Sequence, residues 1–119
     1  MSFLVQLLQH RRLWQVLFVL LFIAISYLAL SPAPPDGIST GWDKANHALA
    51  FASLAFSGNF ARTRRPWPFL FIALLAYGGV IELLQLKIPN RDGDWHDLLA
   101  DGVGISIGLA VAAVSARLR

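Results

Sequence analysis

Hydrophobic residues in this chain fall into four long runs. Residues 13–30, LWQVLFVLLFIAISYLAL, carry no charged side chain. Residues 67–86, WPFLFIALLAYGGVIELLQL, carry one, Glu82, with Gln85 three positions on. Residues 97–116, DLLADGVGISIGLAVAAVSA, open on Asp97 and Asp101 and are otherwise small and apolar. Residues 45–60, ANHALAFASLAFSGNF, form the weakest run, interrupted by His47 and Asn59; alone they would suit a buried helix of a soluble protein. Crossing a bilayer core takes about 20 residues at ~1.5 Å each. The pattern therefore predicts an all-α fold: an integral membrane bundle of four transmembrane helices in a single domain over residues 1–119. Helix breakers occupy the connections, SPAPPDGISTGW after the first run and KIPNRDGDWH after the third. A short interfacial stretch is expected at residues 3–8. A signal peptide competes for the first run, with Arg11 and Arg12 leading it and a cleavage site near residues 32–33. The run is longer than the usual ~7–15-residue apolar region of such peptides, and three more apolar segments follow.

Composition supports the membrane reading. Apolar residues make up 56% and charged ones 14%, against roughly 25% charged in an average soluble domain. Mean hydropathy is +0.58, which excludes disorder. The absence of cysteine excludes a disulfide scaffold and a thiolate zinc site. A net charge of +3 and a pI near 10.0 first suggest nucleic acid. The basic residues form short clusters between apolar runs, however, with no stripe that could follow phosphates, so no nucleic-acid partner is expected. The same charges set an orientation. Arg11, Arg12, Arg62, Arg64, Arg65, Arg117 and Arg119 flank the runs at one end; Lys44, Lys87 and Arg91 lie at the other, together with all seven acids. The positive-inside rule then places both termini in the cytoplasm, as in a multi-pass protein of a bacterial cytoplasmic membrane. Trp14, Trp42, Trp67 and Trp95 lie near run ends, where interfacial anchors are expected.

Three polar groups collect at the outer end. Asp43, Lys44 and His47 start the second run, with Asp43 and His47 sharing a helix face. Glu82 and Gln85 close the third, and Arg91, Asp94, Asp97 and Asp101 lead into the fourth. An ionised side chain at membrane depth costs several kcal/mol unless it is paired or faces protein or water. These groups are therefore expected to converge in one outer-leaflet cavity. Plainer readings stand beside this one. Asp94 or Asp97 suits a helix cap, Asp101 a structural buried pair, His47 an interfacial position, and Asp36 and Asp92 solvated loops. Gly78 and Gly79, and Gly104 with Gly108 in a G-x-x-x-G pattern, suit close helix packing. Imidazole and carboxylates of His47, Glu82, Asp97 and Asp101 could hold a divalent metal, although the spacing identifies no cofactor. Nucleotide-loop, H-E-x-x-H and G-x-S-x-G motifs are absent.

At DKANHALAF, ELLQ and R-x-x-D-x-x-D-L-L-A-D-x-x-G the sequence resembles the VanZ-like family. The shared positions are Asp43, Lys44, His47 and Phe51, then Glu82 and Gln85, then Arg91, Asp94, Asp97 and Gly104. Asp101 is a departure, since family members often carry Asn there. The family's namesake is associated with resistance to the glycopeptide teicoplanin. The resemblance implies a small bacterial integral membrane protein with a shared polar site, and it brings no reaction with it.

Three functional classes follow from the residues. In the first, the outer-face site binds or processes a membrane lipid or lipid-linked envelope precursor. Glu82, His47, Asp97 and Asp101 are then the candidate catalytic groups, with Glu82 or Asp101 as acid or base and His47 as proton shuttle. Asp43, Lys44, Gln85 and Arg91 are the candidate ligand-binding groups, Lys44 and Arg91 holding a phosphate. In the second, the same residues form a structural network of a non-catalytic accessory protein. In the third, Glu82 carries protons or ions in a small transporter; the apolar inner halves of the runs argue against it, and it would need dimerisation. The sequence leaves the oligomeric state open.

Overall fold

The computed structural model describes residues 2–32, 43–62, 66–89 and 93–117. Among these, helices are the sole regular structure: α1 (Phe3–Gln9), α2 (Arg11–Leu30), α3 (Asp43–Ala61), α4 (Trp67–Gln85) and α5 (His96–Ala116). The fold is all-α. The interfacial stretch expected at the start is a separate helix. The Ser2 hydroxyl accepts the Val5 N–H at 3.2 Å to begin α1, and His10 Nδ1 accepts the Leu13 N–H at 3.3 Å to begin α2. Each side chain takes one of the amide donors that a helix start leaves without an intrahelical acceptor.

Four contacts give the direction of the long helices. Gln15, early in α2, donates to the Ala61 carbonyl at the end of α3. Ser26, in the later half of α2, hydrogen-bonds Tyr77, near the middle of α4. Gln85 donates at 2.8 Å to Ala29, so α2 and α4 end together. His47 meets Asp101, so α3 and α5 start together. α2 and α4 therefore run one way, and α3 and α5 the other.

α3 and α5 approach most closely. A Cβ on Gly104 would meet the Ala48 carbonyl oxygen and lie 2.8 Å from Ala48 Cα. One on Gly108 would meet the Ala52 carbonyl and lie 2.9 Å from Ala55 Cβ. The expected small-residue packing surface is this contact. Gly78 also packs tightly, against Asp101 and Phe51, but a Cβ on Gly79 would have nothing within 4 Å. The glycine pair thus divides into one packing residue and one without a neighbour, as adjacent positions on a helix point about 100° apart.

The buried positions of α4 are Leu74, Gly78, Ile81, Glu82 and Gln85. Those of α5 are Asp97, Asp101, Gly104, Ile105, Gly108 and Ala112. Each set follows the spacing of a single helix face. The faces that pack the bundle are therefore the ones that carry the acids. Phe51, Leu54, Ala55, Leu74, Ile81 and Ile105 form the main core. Leu8, Trp14, Phe60 and Ala112 form a second cluster beneath α1, where Trp14 Nε1 donates to the Leu7 carbonyl at 2.9 Å. Trp14 is thus a buried lock for α1 and not an interfacial anchor. Trp67 and Trp95 are exposed, and Trp42 lies outside the described residues.

The outward surface is apolar: Val19, Leu20 and Ile23 of α2, Ile72 and Val80 of α4, and Ile107 and Val111 of α5 are exposed. Contiguous apolar surface of this kind suits lipid. Three helices, α2, α4 and α5, are long and apolar enough to cross a membrane, not the four expected from the sequence. α3 has the length, at 19 residues, but Lys44, Asn46, His47, Ser53, Ser57 and Asn59 dilute it. The physical reason lies in its surroundings. Among its described side chains only Leu49 and Ser53 are exposed, whereas most of α2 is. A helix enclosed by protein needs little hydrocarbon-compatible surface, so its hydropathy falls.

Candidate functional site

The site forms where α3 and α5 start and α4 ends. α3 contributes Lys44 and His47 from its first turns. α4 contributes Glu82 from its packed stripe, and α5 contributes Asp97 and Asp101 from its own. Asp94, in the connection before α5, completes the set. Asp101 is fully buried, Asp97 is 2% exposed and Glu82 8%. The Lys44 and Asp94 side chains are about a third exposed, so the group opens toward the end of the bundle.

Local folding fixes each member. The Asp94 carbonyl accepts the Asp97 N–H at 2.9 Å, and its carboxylate accepts the His96 N–H at 2.9 Å. Asp94 thus holds the first residue of α5 from just outside the helix, whose N-cap position is Trp95. His96 stacks on Trp95 and its Nδ1 lies 2.9 Å from the same carboxylate. The backbone N–H of His96 foremost, then the Lys44 ammonium and the His96 ring, hold Asp94 well below the ordinary carboxylate range. Its contacts are therefore complete above the usual carboxylate pKa and give way only as pH falls far below it. The Asp94 N–H donates at 3.0 Å to Glu82 Oε2, which ties the end of α4 to the start of α5.

The charges meet across helices. Lys44 Nζ donates to Asp94 Oδ2 at 3.0 Å and also to Asp97 Oδ1. His47 Nδ1 lies 2.9 Å from Asp101 Oδ1, and Nε2 lies 3.4 Å from Asp97 Oδ2. Glu82 Oε1 is 4.0 Å from His47 Nδ1. That oxygen is buried and has no hydrogen-bond partner among the described residues. An imidazole and three carboxylates at this range can exchange protons or share a cation.

Of the residues selected from sequence, His47, Glu82, Asp97, Asp101 and Lys44 are brought together. Gln85 turns away, its amide donating to the last turn of α2 at Ala29. Arg91 lies outside the described residues, as does the Asp43 side chain, although Asp43 begins α3. The Ser26–Tyr77 hydrogen bond was not anticipated. Its sequence signal was available, since a hydroxyl deep in an apolar run needs a partner there.

The sequence model of the VanZ/LLP1 family matches residues 1–116, nearly the entire chain. No curated protein and no solved structure matches it.

Proposed function

We propose that this chain, which belongs to the VanZ/LLP1 family, binds or processes a membrane lipid or lipid-linked envelope precursor at the polar end of its bundle. It does so as a four-span protein of the bacterial cytoplasmic membrane, with both termini cytoplasmic and the site on the outer side. The carrying observation is the arrangement around Glu82. Three helices bring His47, Glu82 and Asp97 together, and one Glu82 oxygen is buried without a hydrogen bond among the described residues. Leaving a buried acceptor unsatisfied costs ~1–3 kcal/mol, which a purely structural network would avoid and a ligand would remove. Glu82 and His47 suit proton transfer, and Lys44 offers positive charge to a phosphate. The ion pairs of Lys44 with Asp94 and Asp97 favour the second reading, a network that holds α3 to α5.

Lipid retention separates the two. Full-length protein is extracted gently and its co-purifying lipids are read by native mass spectrometry. Glu82→Gln keeps an acceptor for the Asp94 N–H, so it is expected to fold and to lose a phospholipid or isoprenyl phosphate that the unaltered chain retains. Equal lipid content in both, with a lowered melting temperature in the variant, supports the network instead.

The four-span topology rests on the charge distribution and on α3 running beside α5. Single cysteines replacing Thr63 and Gly93 are expected to react from opposite faces of sealed cells with a membrane-impermeant maleimide. Reaction from one face alone ends the topology.

A further inference from the structure

The three helices at the site each present one donor atom to a common point. Those of His47, Glu82 and Asp97 lie within 4.8 Å of one another. Imidazole nitrogen and carboxylate oxygen bind zinc-like ions at ~2.0–2.2 Å, which puts neighbouring ligand atoms about 3–3.5 Å apart. The His47 Nε2 to Asp97 Oδ2 separation of 3.4 Å already has that value, and Glu82 Oε1, 4.0 Å from His47 Nδ1, would have to move closer to join them.

The other donors of these side chains are already engaged in ways that aim the remainder. Lys44 takes Asp97 Oδ1, which leaves Oδ2 toward His47. The Asp94 N–H takes Glu82 Oε2, which leaves Oε1 buried and without a hydrogen bond among the described residues. Asp101 Oδ1 lies 2.9 Å from His47 Nδ1. An ionised Asp101 accepts there from the tautomer protonated on Nδ1, and that tautomer leaves the Nε2 lone pair for a metal. A carboxylate behind a histidine in this way is the usual orienting partner of a metal-bound imidazole. Charge points the same way. The cluster holds four carboxylates, Glu82, Asp94, Asp97 and Asp101, and one fixed cation among the described residues, Lys44, which meets only Asp94 and Asp97. Buried negative charge in excess is stabilised by a cation.

We propose that His47, Glu82 and Asp97 bind one divalent transition-metal ion of the zinc or manganese class, with Asp101 orienting His47. Mixed nitrogen and oxygen donors select such ions over magnesium or calcium, which take oxygen alone. Three protein ligands leave a coordination position open, and a phosphate oxygen of the headgroup is the occupant. The choice of occupant rests on the lipid reading above; the metal site does not.

Metal alone is the probe. The full chain in detergent, stripped with chelator, is titrated calorimetrically with zinc chloride, manganese chloride and magnesium chloride. One equivalent of zinc or manganese is expected to bind, with magnesium at least a hundredfold weaker. Glu82→Gln and Asp97→Asn, each verified as folded by helicity and gel filtration, are expected to weaken binding at least a hundredfold. Asp101→Asn is expected to weaken it about 10–100-fold, as loss of an orienting partner does. Absence of stoichiometric binding by the folded unaltered chain overturns the proposal, and so does unchanged affinity in folded Glu82→Gln and Asp97→Asn. Lipid retention without metal binding removes this inference and spares the lipid reading. Metal binding without lipid retention does the reverse.

Discussion

Gly104→Leu is expected to abolish recovery of folded protein. A Cβ at this position would meet the Ala48 carbonyl oxygen and approach Ala48 Cα to 2.8 Å. Both atoms are backbone, so no rotamer change relieves the clash. α3 and α5 would have to separate along their length, which would open the Gly108 contact with Ala52 and Ala55 and displace His47 from Asp101. Overpacking costs ~1–3 kcal/mol where side chains can adjust and more where they cannot. Against a total stability of ~5–15 kcal/mol, a loss of about 3 kcal/mol or more, with the polar cluster broken as well, leaves little native protein. Gly79→Leu is the matched control. Its Cβ has nothing within 4 Å, and yield and melting temperature are expected to remain unaltered. Gel filtration of fluorescently tagged protein in detergent reads both. A monodisperse, fully stable Gly104→Leu protein would show that the α3–α5 contact is not the close one described.

Leu20→Asp is expected to remove the protein from the membrane. Leu20 is at the middle of α2 and 58% exposed, with the exposed Val19 and Ile23 beside it. On a soluble surface, such a change stays within about 0.5 kcal/mol and improves solubility. At the centre of a spanning helix a carboxylate costs roughly 2.5–3.5 kcal/mol, and at mid-depth its short side chain cannot reach the interface. The carbonate-resistant membrane fraction is expected to fall to a small part of that for the unaltered chain. Undiminished accumulation there would mean that α2 does not contact lipid at this position.

The elements were legible because apolar runs and breakers fix helix ends almost independently of the rest. Runs at 13–30, 67–86 and 97–116 became α2 at Arg11–Leu30, α4 at Trp67–Gln85 and α5 at His96–Ala116. The run at 45–60 predicts a span, yet α3 is not apolar enough for one by composition, because its sequence reflects an environment built by neighbours. A helix surrounded by protein looks less like a span than one bathed in lipid. The proximity of His47, Glu82 and Asp101 was legible for an energetic reason: charges in an apolar chain must find one another. Gln85 went elsewhere because the carbonyl of Ala29 at the end of α2 lay in reach, which depends on packing. Trp14 differed for the same reason. Its position near a run end suggested the interface, while the fold of α1 over it decided burial. Spacing also could not sort the carboxylates into those toward Lys44, Asp94 and Asp97, and the one behind His47, Asp101.

The enclosure of α3 has a consequence for biosynthesis. α3 is the long helix least suited to lipid; of the helices that cover it, α2 is translated before it, and α4 and α5 after it. His47 and Asp101 lie 54 positions apart, so at ~5–20 residues per second the imidazole waits about 3–10 s for its carboxylate. During that interval Lys44 and His47 have neither Asp97 nor Asp101 to meet. α3 thus gains these polar partners only once α5 has been made, and the last helix completes the surroundings of an earlier one. A chain that stops before α5 lacks Asp97 and Asp101, and with them the carboxylates that Lys44 and His47 meet in the complete bundle.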